Sequence, residues 1–125
     1  MLKGSKLENF EPVVSVETLQ VVDLKMGEGD VVAEGATVTA HYTGALAKDG
    51  TIFESSKDSG QPATFPLAQV IEGWQKGVPG MKVGGIRRLI IPAALGYGEM
   101  GSPPTIGPNE PLVFDIELVS IGAPQ

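Results

Sequence analysis

A chain of 125 residues with a formal net charge of −6 and no cysteine is long enough for one domain with a single core and too short for two ordinary ones. The acidic balance disfavours nucleic acid and anionic membrane as partners, because both reward basic surfaces. Lack of cysteine excludes disulfides, thiolate catalysis and cysteine-based metal sites. No apolar run approaches the ~20 residues that span a bilayer, and the first eleven residues lack the apolar stretch of a signal peptide. The expectation is a cytoplasmic protein, an exported origin staying open, with a monomer as the default.

Residues 1–15 are polar, follow neither the helical nor the strand period, and read as an N-terminal arm ahead of a domain over 16–125. Whether the arm is disordered or adds a strand stays open. Branched and polar residues alternate from about Val16 to Lys25, which predicts a strand ending in the turn around Gly27 and Gly29. Thr37-Val-Thr-Ala-His-Tyr-Thr43 alternates as a half-buried strand does. Lys48-Asp-Gly50 is the strongest hairpin signal and joins it to Thr51-Ile-Phe-Glu-Ser-Ser56. Ala63-Thr-Phe65 reads as a brief strand cut by Pro66.

Residues 69–80 contain the only tryptophan, and Val70, Ile71, Trp74 and Val78 fall at spacings that share one face of a short helix. Gly73 and Gly77 cost such a helix about 1 kcal/mol each relative to alanine, and Pro79-Gly80 stops it. It therefore needs the rest of the chain around it. Ile86 to Ile91 follows as a branched strand. Residues 96–111 hold four glycines and four prolines and form a long loop, of a kind that is usually functional. Leu112, Phe114, Ile116 and Leu118 then alternate with Asp115 and Glu117 in a closing strand. The fold class is α+β: a curved antiparallel sheet of about five strands half-wrapped around one short helix.

Candidate chemistry is sparse. Gly96-Tyr-Gly-Glu-Met-Gly101 fits the dinucleotide fingerprint but is followed by Ser102-Pro-Pro104 rather than by a helix, so it is rejected as a phosphate cradle. His41 is the only histidine; neither a zinc site nor a Ser-His-Asp relay has support, and a hydrogen-bonded structural role is expected. The carboxylates at Glu28, Asp30, Asp49, Glu54, Asp115 and Glu117 read as turn or solvent-facing groups, and no cofactor is implied. Tyr42, Phe53, Phe65, Trp74, Tyr97 and Phe114 come one apiece from different elements. Periodicity alone makes them core; the polar atoms of both tyrosines and the tryptophan, with Tyr97 opening the long loop, leave a pocket as the other reading.

His41-Tyr-Thr-Gly44, Thr51-Ile-Phe-Glu-Ser-Ser56, Val70-Ile-Glu-Gly-Trp74, Gly77-Val-Pro-Gly-Met-Lys-Val-Gly84, Leu95-Gly-Tyr-Gly98 and Leu112-Val-Phe-Asp-Ile-Glu-Leu118 resemble, in order and spacing, the FKBP-type peptidyl-prolyl isomerases, the macrolide-binding immunophilins. The resemblance covers about Thr18 to Ile121. It implies a half-wrapped sheet around a short helix, with an apolar pocket between them. Trp74 would be the pocket floor, Tyr42, Phe53, Phe65, Val70, Ile71 and Phe114 its walls, and Tyr97 and Ile106 would reach in from the loop. The Ile71 backbone N–H and the Tyr97 hydroxyl would hydrogen-bond the bound peptide.

The resemblance further implies proline-containing peptides, unfolded chains and macrolides such as rapamycin and tacrolimus as partners. The resemblance makes Tyr42, Phe53, Glu54, Trp74, Tyr97 and Phe114 the catalytic set and Phe65, Val70, Ile71 and Ile106 substrate-binding. Departures from the family pattern are Glu54 for an aspartate, Ser59 for an arginine, Ser102 for a histidine found in some members, and Gly107 for the first of two prolines. Two functions from different classes follow. One is non-covalent catalysis of Xaa-Pro rotation; the other is a proline- or macrolide-binding module with weak or no catalysis.

Overall fold

The structure, a computed structural model, describes residues 6–7, 10, 16, 18–58, 60–98, 101, 106–107 and 109–121. Ser59, Ser102 and most of the arm lie outside them. Six strands, β1 (Gln20–Lys25), β2 (Thr37–Leu46), β3 (Ile52–Ser55), β4 (Ala63–Pro66), β5 (Ile86–Ile91) and β6 (Leu112–Ile121), form one sheet. Its order is β1-β5-β6-β2-β3, and β4 also pairs with β2. All pairings are antiparallel. β3 and β4 lie along different stretches of the same edge, Thr43 to Ala45 and Thr37 to Ala40 of β2, so they behave as one interrupted outer strand.

The alternation read from the closing strand holds in space. Leu112, Phe114, Ile116 and Leu118 are buried on the helix side of the sheet, with Val38, Ala40, Leu89 and Ile91 in the same cluster. The Lys48-Asp-Gly50 hairpin also forms. Gly50 takes a φ of 76°, which an L-residue with a side chain adopts only at a cost, and Asp49 Oδ1 accepts from the Thr51 N–H at 2.8 Å. That hydrogen bond, foremost among its causes, holds the Asp49 carboxyl below its ordinary pKa.

Two elements differ from expectation. β1 starts at Gln20, not near Val16, and lies at one edge of the sheet with all its residues exposed. The helix α1 covers only Glu72–Gly77. Val70 and Ile71 precede it, with Ile71 extended at φ −58° and ψ 151° as its N-cap, so they share no helix face with Trp74 and Val78. The Ile71 carbonyl accepts from the N–H groups of Trp74 and Gln75 at 3.0 and 3.2 Å.

So short a helix is held from outside. Arg87 of β5 donates to the carbonyls of Gly77 at 2.9 Å and Pro79 at 3.3 Å, where the helix dipole favours a cation, and its Nε pairs with Asp23 at 2.6 Å. The two helical glycines have a purpose that propensity alone hides. A Cβ on Gly73 would lie 2.6–2.8 Å from three side-chain atoms of Ile91, and one on Gly77 2.6 Å from Leu89. Both neighbours are fully buried, so the glycines let α1 lie directly on β5. Gly73→Ala is expected to destabilise by about 1 kcal/mol in urea unfolding, because overpacking costs ~1–3 kcal/mol while the gain in helix propensity is only ~1 kcal/mol. A rise in stability would show that Ile91 has room to move.

Candidate active site

Between α1, the inner face of the sheet and the loop after β5 lies a hollow of about 320 Å³, a volume suited to a small ligand. Its base comes from α1, which presents Trp74 with only 4% of its surface exposed. β2 contributes Tyr42, β3 Phe53 and Glu54, β4 Phe65 and β6 Phe114, while Gln69, Val70 and Ile71 come from the turn that leads into α1 and Tyr97 from the loop.

The rings touch in an unbroken series. Trp74 meets Phe65, Phe114 and Tyr42 edge to face at centroid distances of 5.0, 5.4 and 5.8 Å; Tyr42 also meets Phe65 at 5.4 Å and Phe53 meets Phe114 at 5.8 Å. Each such pair contributes ~0.5–1.5 kcal/mol beyond area burial, and together they fix the wall. Gly44 is what allows two of them to converge. It pairs with Phe114 on one side and Glu54 on the other, and a Cβ there would lie 2.7 Å from both phenylalanine rings.

Every residue expected at the site lines this hollow except Ile106, which is 4% exposed, packs in the main core and is not among the lining residues. Gln69 lines it and was not expected. An exposed glutamine in a single 3₁₀ turn has no periodic signal; the only clue was its position directly before Val70. His41 has the structural role read for it, with Nδ1 3.0 Å from the Ser56 hydroxyl, which also accepts from the Tyr42 N–H at 2.8 Å. That contact ties the backbone of Tyr42 to the turn after β3.

The electrostatics centre on Glu54. Burial, then a hydrogen bond to Glu54 and the charge of that carboxylate, push the Tyr42 hydroxyl well above its ordinary pKa of 10.0. Tyr97 is raised for the same first reason, with the Glu54 charge second. A tyrosine raised in the folded state loses its proton first when unfolded, so its contribution to stability is whole below pH 10 and is lost as pH rises through the folded value. Tyrosinate absorbance, read on a chain with only two tyrosines, is expected to show both titrating above pH 10. In Glu54→Gln the Tyr42 midpoint should fall, and an unchanged midpoint would remove the coupling.

A family model described as FKBP-type peptidyl-prolyl cis-trans isomerase matches residues 21–119. FkpA of Neisseria meningitidis serogroup B is 50% identical over 107 residues, which cover 86% of this chain and 39% of FkpA. An FK506-binding protein of Neisseria meningitidis serogroup A is 44% identical over 106 residues, covering 83% of this chain and 96% of that protein. Among solved structures, a peptidyl-prolyl cis-trans isomerase from Pseudomonas syringae superposes with a TM-score of 0.76 at 35% identity, over 84% of this chain and 76% of that one. The chain thus spans about two fifths of the length of the first curated relative it matches. Shared sequence over most of the domain, with the same fold, makes this chain a member of the FKBP-type peptidyl-prolyl cis-trans isomerase family.

Proposed function

We propose that this chain catalyses cis-trans rotation about Xaa-Pro bonds without covalent chemistry, assisting the folding of proline-containing chains, and that the same hollow takes macrolides such as tacrolimus and rapamycin. The observation that carries the reading is the aromatic-walled hollow of about 320 Å³ with the lone tryptophan at its base, in a chain of this family.

The barrier to amide rotation is ~18–20 kcal/mol because twisting destroys resonance, and the unaided step takes tens of seconds or longer. The planar amide is the more dipolar form and water stabilises it. An apolar site withdraws that stabilisation, so less is lost on twisting. Trp74 carries the prolyl ring, Phe53, Phe65 and Phe114 hold it in place, and the Ile71 N–H and Tyr97 hydroxyl tether the flanking backbone. Interactions that tighten only in the twisted amide lower the barrier, at ~1.4 kcal/mol for each tenfold in rate.

The test is an NMR exchange or protease-coupled measurement on an Xaa-Pro peptide. Acceleration that tacrolimus or rapamycin blocks is the expected result. Macrolide binding without acceleration would replace catalysis with a binding module, and absence of both would overturn the assignment of the hollow.

A further inference from the structure

Among the ten residues around the hollow only Glu54 carries a formal charge at neutral pH. On β3 the register is interrupted opposite Gly44 and Ala45, so Phe53 and Glu54 both border the hollow, Phe53 buried and Glu54 exposed, and the carboxylate stands at its water-facing mouth. Tyr42 of β2 and Tyr97 of the loop border the same hollow, and after burial, the larger cause, the Glu54 charge adds to the rise of both hydroxyls. Four cations of the described residues are engaged with other carboxylates: Lys6 with Asp49, Lys48 with Glu110, Arg87 with Asp23 and Arg88 with Asp115. Lys57, in the turn after β3, is followed directly by Asp58 and is not a lining residue.

We infer that Glu54 makes this a site for basic proline segments: chains with lysine or arginine next to the proline are handled in preference to chains with aspartate or glutamate there. The inference rests on the reading of the hollow as a prolyl site. A ring seated on Trp74 leaves its neighbouring residues at the mouth, where Glu54 stands. Two unit charges ~5 Å apart in water interact by an amount worth roughly fourfold in affinity, so exchanging an attracted charge for a repelled one changes binding on the order of tenfold. The charge acts alike on the planar and twisted amide, so the effect belongs in KM rather than kcat. It also steers encounter and weakens with salt.

Three short peptides that differ only before the proline, as lysine, glutamine or glutamate, and a second set varied after it, provide the test. NMR exchange on wild type at low salt is expected to give a lysine-to-glutamate ratio in kcat/KM of about tenfold in at least one set, shrinking toward unity near 1 M salt. Glu54→Gln should abolish the ratio and Glu54→Lys should invert it. An equal ratio in wild type and Glu54→Gln overturns the inference, and acceleration of the glutamine peptide by wild type keeps the isomerase reading intact. If no peptide is accelerated, the isomerase reading fails instead. Affinities of the same peptides, read from Trp74 fluorescence, then decide the charge preference: retained in wild type and lost in Glu54→Gln supports it, and equal affinities overturn it.

Discussion

Trp74→Ala is expected to lower the free energy of unfolding by about 3–5 kcal/mol, as large aromatic truncations in cores do, and to abolish detectable tacrolimus binding. The indole is 4% exposed and meets three rings edge to face, so truncation forfeits its burial and all three ring contacts. Next to it lies a hollow already without protein atoms on one side. The void left behind merges with that hollow, leaving Tyr42, Phe65 and Phe114 unsupported rather than letting them close over it. A domain of ordinary stability, ~5–15 kcal/mol, survives the loss, so circular dichroism should still report a folded chain whose urea midpoint is far lower. Phe53→Ala provides the contrast. Its one ring contact among the described residues is with Phe114, so it should reduce ligand binding with a smaller loss of stability. A Trp74→Ala protein within about 1 kcal/mol of wild type would mean that the ring is not the packed base described above.

What could be read from the residues alone was whatever depends on local pattern. Strict alternation assigns Phe114 and Asp115 to opposite faces of β6, the Asp49-Gly50 pair demands a tight turn, and the family resemblance implies that Trp74 and Tyr97 share one hollow; each appears so in space. Alternation does not say whether a face is covered. Asp115 reads as solvent-facing, yet it is paired with Arg88, and the face it occupies is partly roofed by Leu7 and Phe10. Phe10, Leu7 and Ile90 pack against Ala45, Ile52 and Val113, Phe10 lies over the Arg88 guanidinium at 5.6 Å, and Leu7 donates its N–H to the Gly50 carbonyl at 2.8 Å. Nothing in the polar run around Phe10 has a period that would reveal this. Gly73 and Gly77 were illegible for a related reason. Propensity prices them within the helix, whereas their value lies in the distance to Ile91 and Leu89 on another element. Ile106 is expected at the site and Gln69 has no assigned place, for want of any pattern in a loop and a single turn; only coordinates put the first in the core and the second beside the hollow.

Asp115→Ala is expected to cost about 3 kcal/mol, the lower end of the range for removing one partner of a buried ion pair, since the Asp115 side chain is 21% exposed against 9% for Arg88. The two face each other across β5 and β6 and make parallel hydrogen bonds, Nε to Oδ1 at 2.7 Å and Nη2 to Oδ2 at 2.8 Å. The carboxylate raises the Arg88 pKa, chiefly through those hydrogen bonds and against burial. Without it the guanidinium keeps its charge beneath Phe10 and loses its fork-shaped partner. Replacing both residues, as in Arg88→Met with Asp115→Leu, should recover most of the stability, because an apolar pair incurs no desolvation cost for charge. The site offers an independent readout. Leu89↔Phe114 is the next rung of the same ladder, and Phe114 lines the hollow beside Trp74, so loosening the pair on the outer face loosens an aromatic wall on the inner one. Asp115→Ala should therefore weaken tacrolimus binding as well, and the double variant should restore it. Stability recovered without binding would show that the ion pair orients Phe114 specifically, beyond holding β5 to β6; failure of the single variant to lose stability would show that the arm and solvent compensate the charge unaided.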